Sequence, residues 1–241
     1  MRIIQGPDLA SLHEQLVPHV IQNCFKKPNG TPEVYPGENG QDTIECPEFT
    51  LYCRTPIYGR RFVPPPKAQF DQRFMDEYAM QLIFGKKGTS FFEYDYYERV
   101  RNWGGEFLSC DGSVGTDQVE YIINKLRSSP VSRRAVAITW YPHIDTEKSD
   151  VPCLQLIHCT IREGKLHFKV VFRSEDMMLG VGPNMYGLTS LQCYLANRLD
   201  IDVGPYVHTV YCPHLYIHRD RDYIDAFVEP AWQRILNTIA G

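Results

Sequence analysis

Residues 151–184 read VPCLQLIHCTIREGKLHFKVVFRSEDMMLGVGPN, and this stretch sets the fold. Two strand-like runs, 154–162 and 165–173, are separated by Glu163-Gly164, which reads as a β-hairpin. The hairpin returns Arg173 to the side of the sheet where Cys153 begins. Cys153 follows Pro152 behind the charged loop 145–150. A lone cysteine is usually a small core residue. A nucleophilic one must be a thiolate, which needs positive charge nearby, and Arg173 stands where it can supply it.

Arg173-Ser174 offers a fork of donors and a hydroxyl, suited to a phosphate. The plainer reading is a surface ion pair between Arg173 and Glu175. Ser132-Arg133-Arg134, at a helix-to-strand turn, is a second phosphate grip or simply a solvated turn. Gly180-x-Gly182-Pro183-Asn184 precedes a helix. It is no dinucleotide fingerprint, because Pro183 removes an amide that a phosphate would use. The glycines let a ligand lie against backbone. Asn184 donates and accepts together, so it reads one edge of a pyrimidine or caps the helix. His214 and Tyr216 point to one face of a strand and either bind a sugar hydroxyl or satisfy each other. Glu77 lies on a helix beside Tyr78 and Ala79, as a general acid/base or a solvated residue.

The remainder of the chain frames this stretch. Asp8 caps a helix that carries Leu9, Leu12, Leu16 and Val20. Residues 26–42 read as a surface loop. Thr43–Arg54 alternates but is interrupted by Pro47, which predicts an edge or bulged strand. A helix over roughly 68–84 carries Phe70, Phe74, Tyr78 and Leu82 on one side, and Gly85-Lys86-Lys87-Gly88 ends it. Phe91–Val100 is dense in tyrosine and shows no clear period. Thr116 or Asp117 caps a helix to residue 128, stopped by Pro130. Arg133–Tyr141 reads as a strand, 184–199 as a buried helix, 207–218 as a strand and 222–237 as a last helix. The irregular interleaving predicts a single α+β domain over 1–241, with a mixed, mostly buried sheet covered by helices.

Composition narrows the function. The chain has 241 residues, 43% hydrophobic content and a net charge of −4, so nothing favours a nucleic-acid or anionic-membrane partner. No apolar run is long enough to span a bilayer, and the N-terminus lacks the apolar core of a signal peptide. The expected location is cytoplasmic, with the eight cysteines reduced. None forms a Cys-x-x-Cys pair, and no metal is expected.

Taken together, Ser-Arg-Arg (132–134), Pro-Cys (152–153), Arg-Ser-x-Asp (173–176), Leu-Gly-x-x-x-Asn (179–184) and His-x-Tyr (214–216) resemble the thymidylate synthase family, which includes the pyrimidine nucleotide hydroxymethylases. The likeness runs from residue 116 to about 225 and is greatest to the short archaeal-type synthases and phage hydroxymethylases. It implies that Cys153 adds to C6 of a pyrimidine nucleoside monophosphate, with 5,10-methylenetetrahydrofolate or a related methylene-pterin as co-substrate. It implies that Arg173 and Ser174 hold the phosphate, with Arg133 and Arg134 donated across a homodimer. Asn184 would read the base, and His214 with Tyr216 the ribose. Asp176 and Gly180 would meet the folate, and Glu77 and Tyr96 would manage protons. The leading expectation is methylation of dUMP to dTMP. The alternatives are hydroxymethylation of dUMP, dCMP or CMP, and a non-catalytic nucleotide-binding relative. The chain departs from the family at Leu154, where a histidine usually follows the nucleophile, and at Phe172, where a glutamine usually precedes the arginine.

Overall fold

The computed structural model describes residues 2–37, 41–61, 71–85, 95–105 and 115–221. Its centre is the hairpin. Strands β5 (Leu154–Arg162) and β6 (Lys165–Phe172) pair antiparallel from Arg162↔Lys165 to Leu154↔Phe172. Glu163 and Gly164 both have positive φ, 52° and 70°, the backbone that a tight two-residue hairpin turn requires. Around them a six-stranded mixed sheet runs β1-β3-β8-β6-β5-β4. The other members are β1 (Arg2–Gly6), β3 (Phe49–Cys53), β4 (Ala135–Ile138) and β8 (Asp202–Val210). A second sheet orders β2 (Thr43–Glu45), β9 (Pro213–Tyr216) and β7 (Glu175–Asp176).

Helices cover one face of the large sheet. Helix α1 (Leu9–Asn23) is capped by Asp8, which accepts from Ser11 N at 2.8 Å. Such a cap contributes about 1 kcal/mol. Helices α2 (Gln72–Phe84), α3 (Tyr96–Arg101) and α4 (Gln118–Ser128) follow, then the single turn α5 (Pro142–Asp145) and the long α6 (Val181–Leu199). Phe168, Phe172, Tyr206 and Leu195 are fully buried in one core that reaches α1 and α4. The architecture is α+β, as the interleaving implied. The sheet's other face is only half covered. Val136, Leu156, Val171 and Val207 alternate with the buried positions and remain partly exposed.

Several elements differ from the sequence reading. Thr43–Arg54 is two strands in two sheets, because Pro47 ends one before the next begins. β3 is an interior strand, since the unforeseen β1 pairs with it in parallel. The run 207–218 also divides, and Tyr211-Cys212 carries the chain from the large sheet into the small one. Helix α6 starts three residues early, which places Asn184 inside the first turn rather than at the cap. Helix α2 buries Met75, Ala79, Leu82 and Ile83, a stripe one residue off the expected one. Phe70, the 86–88 stop, residues 91–94 and the 222–237 helix lie outside the described residues.

Candidate active site

Cys153 sits half-buried immediately before β5. Its carbonyl accepts Arg173 N at 2.9 Å. The Arg173 guanidinium folds onto the same segment, donating from Nε to Pro152 O at 3.1 Å and from Nη2 to Val151 O at 2.8 Å. Arg173 therefore does lie beside the cysteine, and it is not paired with Glu175. A register shift between Leu154 and Leu156 inserts an extra residue here. A bulge of this kind re-aims the side chains next to it.

Tyr96 joins the group from α3, its hydroxyl accepting Leu154 N at 3.1 Å. Thr139 Oγ1 donates to Leu154 O. The position of Tyr96 is fixed from below by Arg99, whose Nη1 and Nη2 grip Asp145 at 3.1 and 2.6 Å in the interior. Asp145 also accepts Tyr141 N at 2.7 Å, so one buried ion pair ties α3 to the loop leading toward Cys153. Removing either partner alone would strand a charge in the interior.

The small sheet supplies the next residues. Ser174 Oγ lies 3.1 Å from His214 Nδ1 and 3.2 Å from Cys212 O. The His214 ring meets Tyr216 edge-on at 5.0 Å. Burial first, then the negative charge of Asp176, with Cys153 as thiolate contributing further, pushes the Tyr216 hydroxyl up from its ordinary range. Asp176 Oδ1 accepts Met178 N and Leu179 N, and Oδ2 pairs with Arg219 at 2.8 Å. The Arg219 guanidinium lies 4.3 Å over the Tyr216 ring. A carboxylate has about four acceptor sites, so Asp176 retains capacity for one more donor, such as a pterin N–H. Gly180 lies alongside, where an added Cβ would come within 3.2 Å of Asp176 O. An open acceptor position beside a glycine backbone suits a flat ligand that carries an N–H.

Asn184 points its amide into a polar cluster. Its Nδ2 donates to Glu175 Oε1 at 2.9 Å, and its Oδ1 accepts from the Tyr78 hydroxyl at 2.6 Å. Glu77 is not brought into this group. It is exposed and pairs with Arg73 one turn earlier at 2.8 Å. Tyr78, next along α2, faces the site instead. Arg133 and Arg134 are exposed and lie just before β4, alongside the far half of β5. Ala135 pairs with Cys159, so Arg133 stands level with Ile161. Eight residues of strand put it roughly 25 Å from its own Cys153.

Burial pushes the thiols of Cys24, Cys46, Cys53, Cys159, Cys193 and Cys212 upward, to about 12 for Cys46, Cys159 and Cys212. Cys110 lies outside the described residues. The sequence reading overlooked Tyr78, Glu175, His208 and Arg219. Glu175 occupies the variable place in Arg-Ser-x-Asp, and His208 is reached by strand alternation from Tyr206. Tyr78 was read as apolar, and its hydroxyl gives no periodic signal.

The family model for thymidylate synthase matches residues 72–230. A Methanocaldococcus jannaschii protein described as "Putative thymidylate synthase" is 34% identical over 232 residues, 94% of this chain and 96% of that protein. A Methanosarcina acetivorans protein of the same description is 36% identical over 197 residues, 82% of this chain and 84% of its own. A thymidylate synthase of Herpesvirus ateles is 32% identical over 133 residues, 54% of this chain and 44% of that protein. These likenesses support an enzyme class, one-carbon transfer to C5 of a pyrimidine nucleotide. The chain belongs to the thymidylate synthase family. Among the described residues no helix is long and apolar enough to cross a membrane.

Proposed function

We propose that the enzyme methylates dUMP at C5, with Cys153 as the nucleophile. The observation that carries this reading is the half-buried Cys153 with the Arg173 guanidinium hydrogen-bonded to its own segment. The Cys153 thiolate adds to C6 of the base, and the displaced electron pair moves toward O4. C5 becomes a carbon nucleophile. Methylenetetrahydrofolate would supply the one-carbon unit, its methylene–nitrogen bond breaking once the carbon is joined to C5, and, for methylation, the hydride, leaving as dihydrofolate. Loss of the C5 proton and release of Sγ from C6 restore the ring double bond.

The surrounding residues support each stage. Arg173 and Ser174 hold the phosphate, so that remote binding energy places C6 against sulfur. Tyr96, on the Leu154 amide, handles a proton beside the nucleophile. His214 and Tyr216 take the ribose, and Asp176 with Gly180 the folate. Asn184 reads the base.

The partner subunit's Arg133 and Arg134 complete the phosphate grip in a homodimer. The span of roughly 25 Å along β5 supports this, since a chain's own arginines cannot reach its own cysteine. The half-open sheet face supports it too, as a surface for a second copy, with Val136, Leu156, Val171 and Val207 set among His158, Lys169 and Thr209.

The test is to incubate the enzyme with dUMP, dCMP or CMP plus methylenetetrahydrofolate and weigh the product. A methyl gain on dUMP is the expected result. A hydroxymethyl gain would replace the last step with water capture. Nucleotide binding without any release of tritium from C5-labelled substrate would make the chain a non-catalytic relative.

A further inference from the structure

A buried polar chain stands behind Asn184, and its proton directions follow one from another. Tyr206 is fully buried, with its hydroxyl 2.8 Å from His208 Nδ1. Burial and the charge of Glu175 push that hydroxyl well above its ordinary value, so it keeps its proton and is a donor for Nδ1 when the ring's hydrogen is on the other nitrogen. The other ring nitrogen, Nε2, stands 2.8 Å from Glu175 Oε2, off the ideal hydrogen-bond line. Two lone pairs do not meet at that distance, so Nε2 carries the hydrogen. Glu175 Oε1 faces Asn184. A carboxylate only accepts, so the atom opposite it must be the Asn184 NH2. Oδ1 is then turned toward Tyr78, whose hydroxyl donates to it.

The backbone is built to permit this approach. A Cβ at Gly187 would sit 2.9 and 3.0 Å from Tyr78 ring carbons, so the glycine lets Tyr78 close on α6. Glu175 and His208 are both almost wholly buried, and Phe172 stacks on the His208 ring at 4.5 Å. Neither side chain has room to turn.

We propose that Glu175, braced by His208 and Tyr206 and assisted by Tyr78, locks the Asn184 amide in one orientation and so selects uracil over cytosine. The proposal rests on Asn184 being the base reader. The locked amide has one N–H and one Oδ1 lone pair left. Those match uracil, which offers an accepting O4 beside a donating N3–H. Cytosine offers a donating N4 beside an accepting N3. To bind it the amide must flip, which turns Oδ1 against the Glu175 carboxylate. Glu175, His208 and Tyr78 are thus positioning residues acting through Asn184. A site that fixes its hydrogen-bonding groups rejects the mismatched ligand by leaving buried polar groups unpaired.

The test measures dissociation constants of dUMP, dCMP and deoxyribose 5-phosphate, without folate, for the wild type, Glu175→Gln and Tyr78→Phe. The wild type is expected to prefer dUMP over dCMP by about 100-fold. Glutamine both donates and accepts, so Glu175→Gln frees the flip and lowers that preference about 10-fold or more. Tyr78→Phe lowers it less, in the same direction. Deoxyribose 5-phosphate binds all three proteins alike, which a general loss of structure would not allow. If Glu175→Gln does not fold, the half-buried Tyr78→Phe carries the comparison. A discriminating wild type whose folded variants keep the preference within about twofold overturns this proposal alone. A wild type that binds dUMP and dCMP equally also overturns it. A wild type that binds neither nucleotide overturns the pyrimidine reading and this one with it.

Discussion

Cys153 and Cys159 lie six residues apart at the mouth and in the middle of one strand, and the fold treats them oppositely. Cys159 is fully buried between Ala135 and Phe168, and burial pushes its thiol up to about 12. Cys153 is half-buried at a bulge, beside a guanidinium. Chemistry is assigned by place along the strand and not by residue type. A thiol in the sheet's interior is a small apolar side chain. The same thiol at the strand's end meets charge and solvent.

The largest contrast is in turnover. Cys153→Ser is expected to lower tritium release from C5-labelled dUMP by about 10⁴-fold or more, while nucleotide binding survives. Cys159→Ser should stay within a few-fold of wild type. Full activity in Cys153→Ser would erase the distinction. Alkylation reads the same contrast without substrate. At pH 8 a thiol of pKa about 12 is thiolate in roughly one molecule in 10⁴, so peptide mapping after iodoacetamide should find Cys153 modified well before Cys159. Raising the pH toward 12 should close the gap in thiolate fraction.

The far end of β5 gives the next test. Arg133→Ala and Arg134→Ala are expected to raise KM for dUMP about 10- to 100-fold. Random mixed dimers of Cys153→Ser with an Arg133→Ala/Arg134→Ala chain should recover about a quarter of wild-type activity, because half are hybrids with one intact site. No recovery would mean that those arginines do not act across the dimer. The smallest effect is on stability. Gly187→Ala forces Tyr78 away from α6 and should cost about 1–3 kcal/mol, read as a lower Tm.

Local order was the most legible part of the sequence. The hairpin, the Asp8 and Asp117 caps and the return of Arg173 to Cys153 all rest on neighbours a few residues apart or on a two-residue turn. What failed were choices made by distant partners. Nothing within Thr43–Arg54 states that β1 will pair with β3, or that Pro47 divides two sheets. On α2, period alone could not say that Tyr78 rather than Glu77 faces the site. Gly187, more than a hundred residues later, admits the Tyr78 ring. The sequence offers Glu175 only as a plain surface partner for Arg173, because it hides His208, which β7 and β8 bring beneath it.

The most direct measurement is peptide mapping of the enzyme after incubation with 5-fluoro-dUMP and methylenetetrahydrofolate. Fluorine at C5 cannot leave as a proton, so the bond between sulfur and C6 should persist. The account expects one nucleotide adduct per chain, on the peptide bearing Cys153. An adduct on Cys159, Cys193 or Cys212, or nucleotide bound with no covalent adduct, would contradict it.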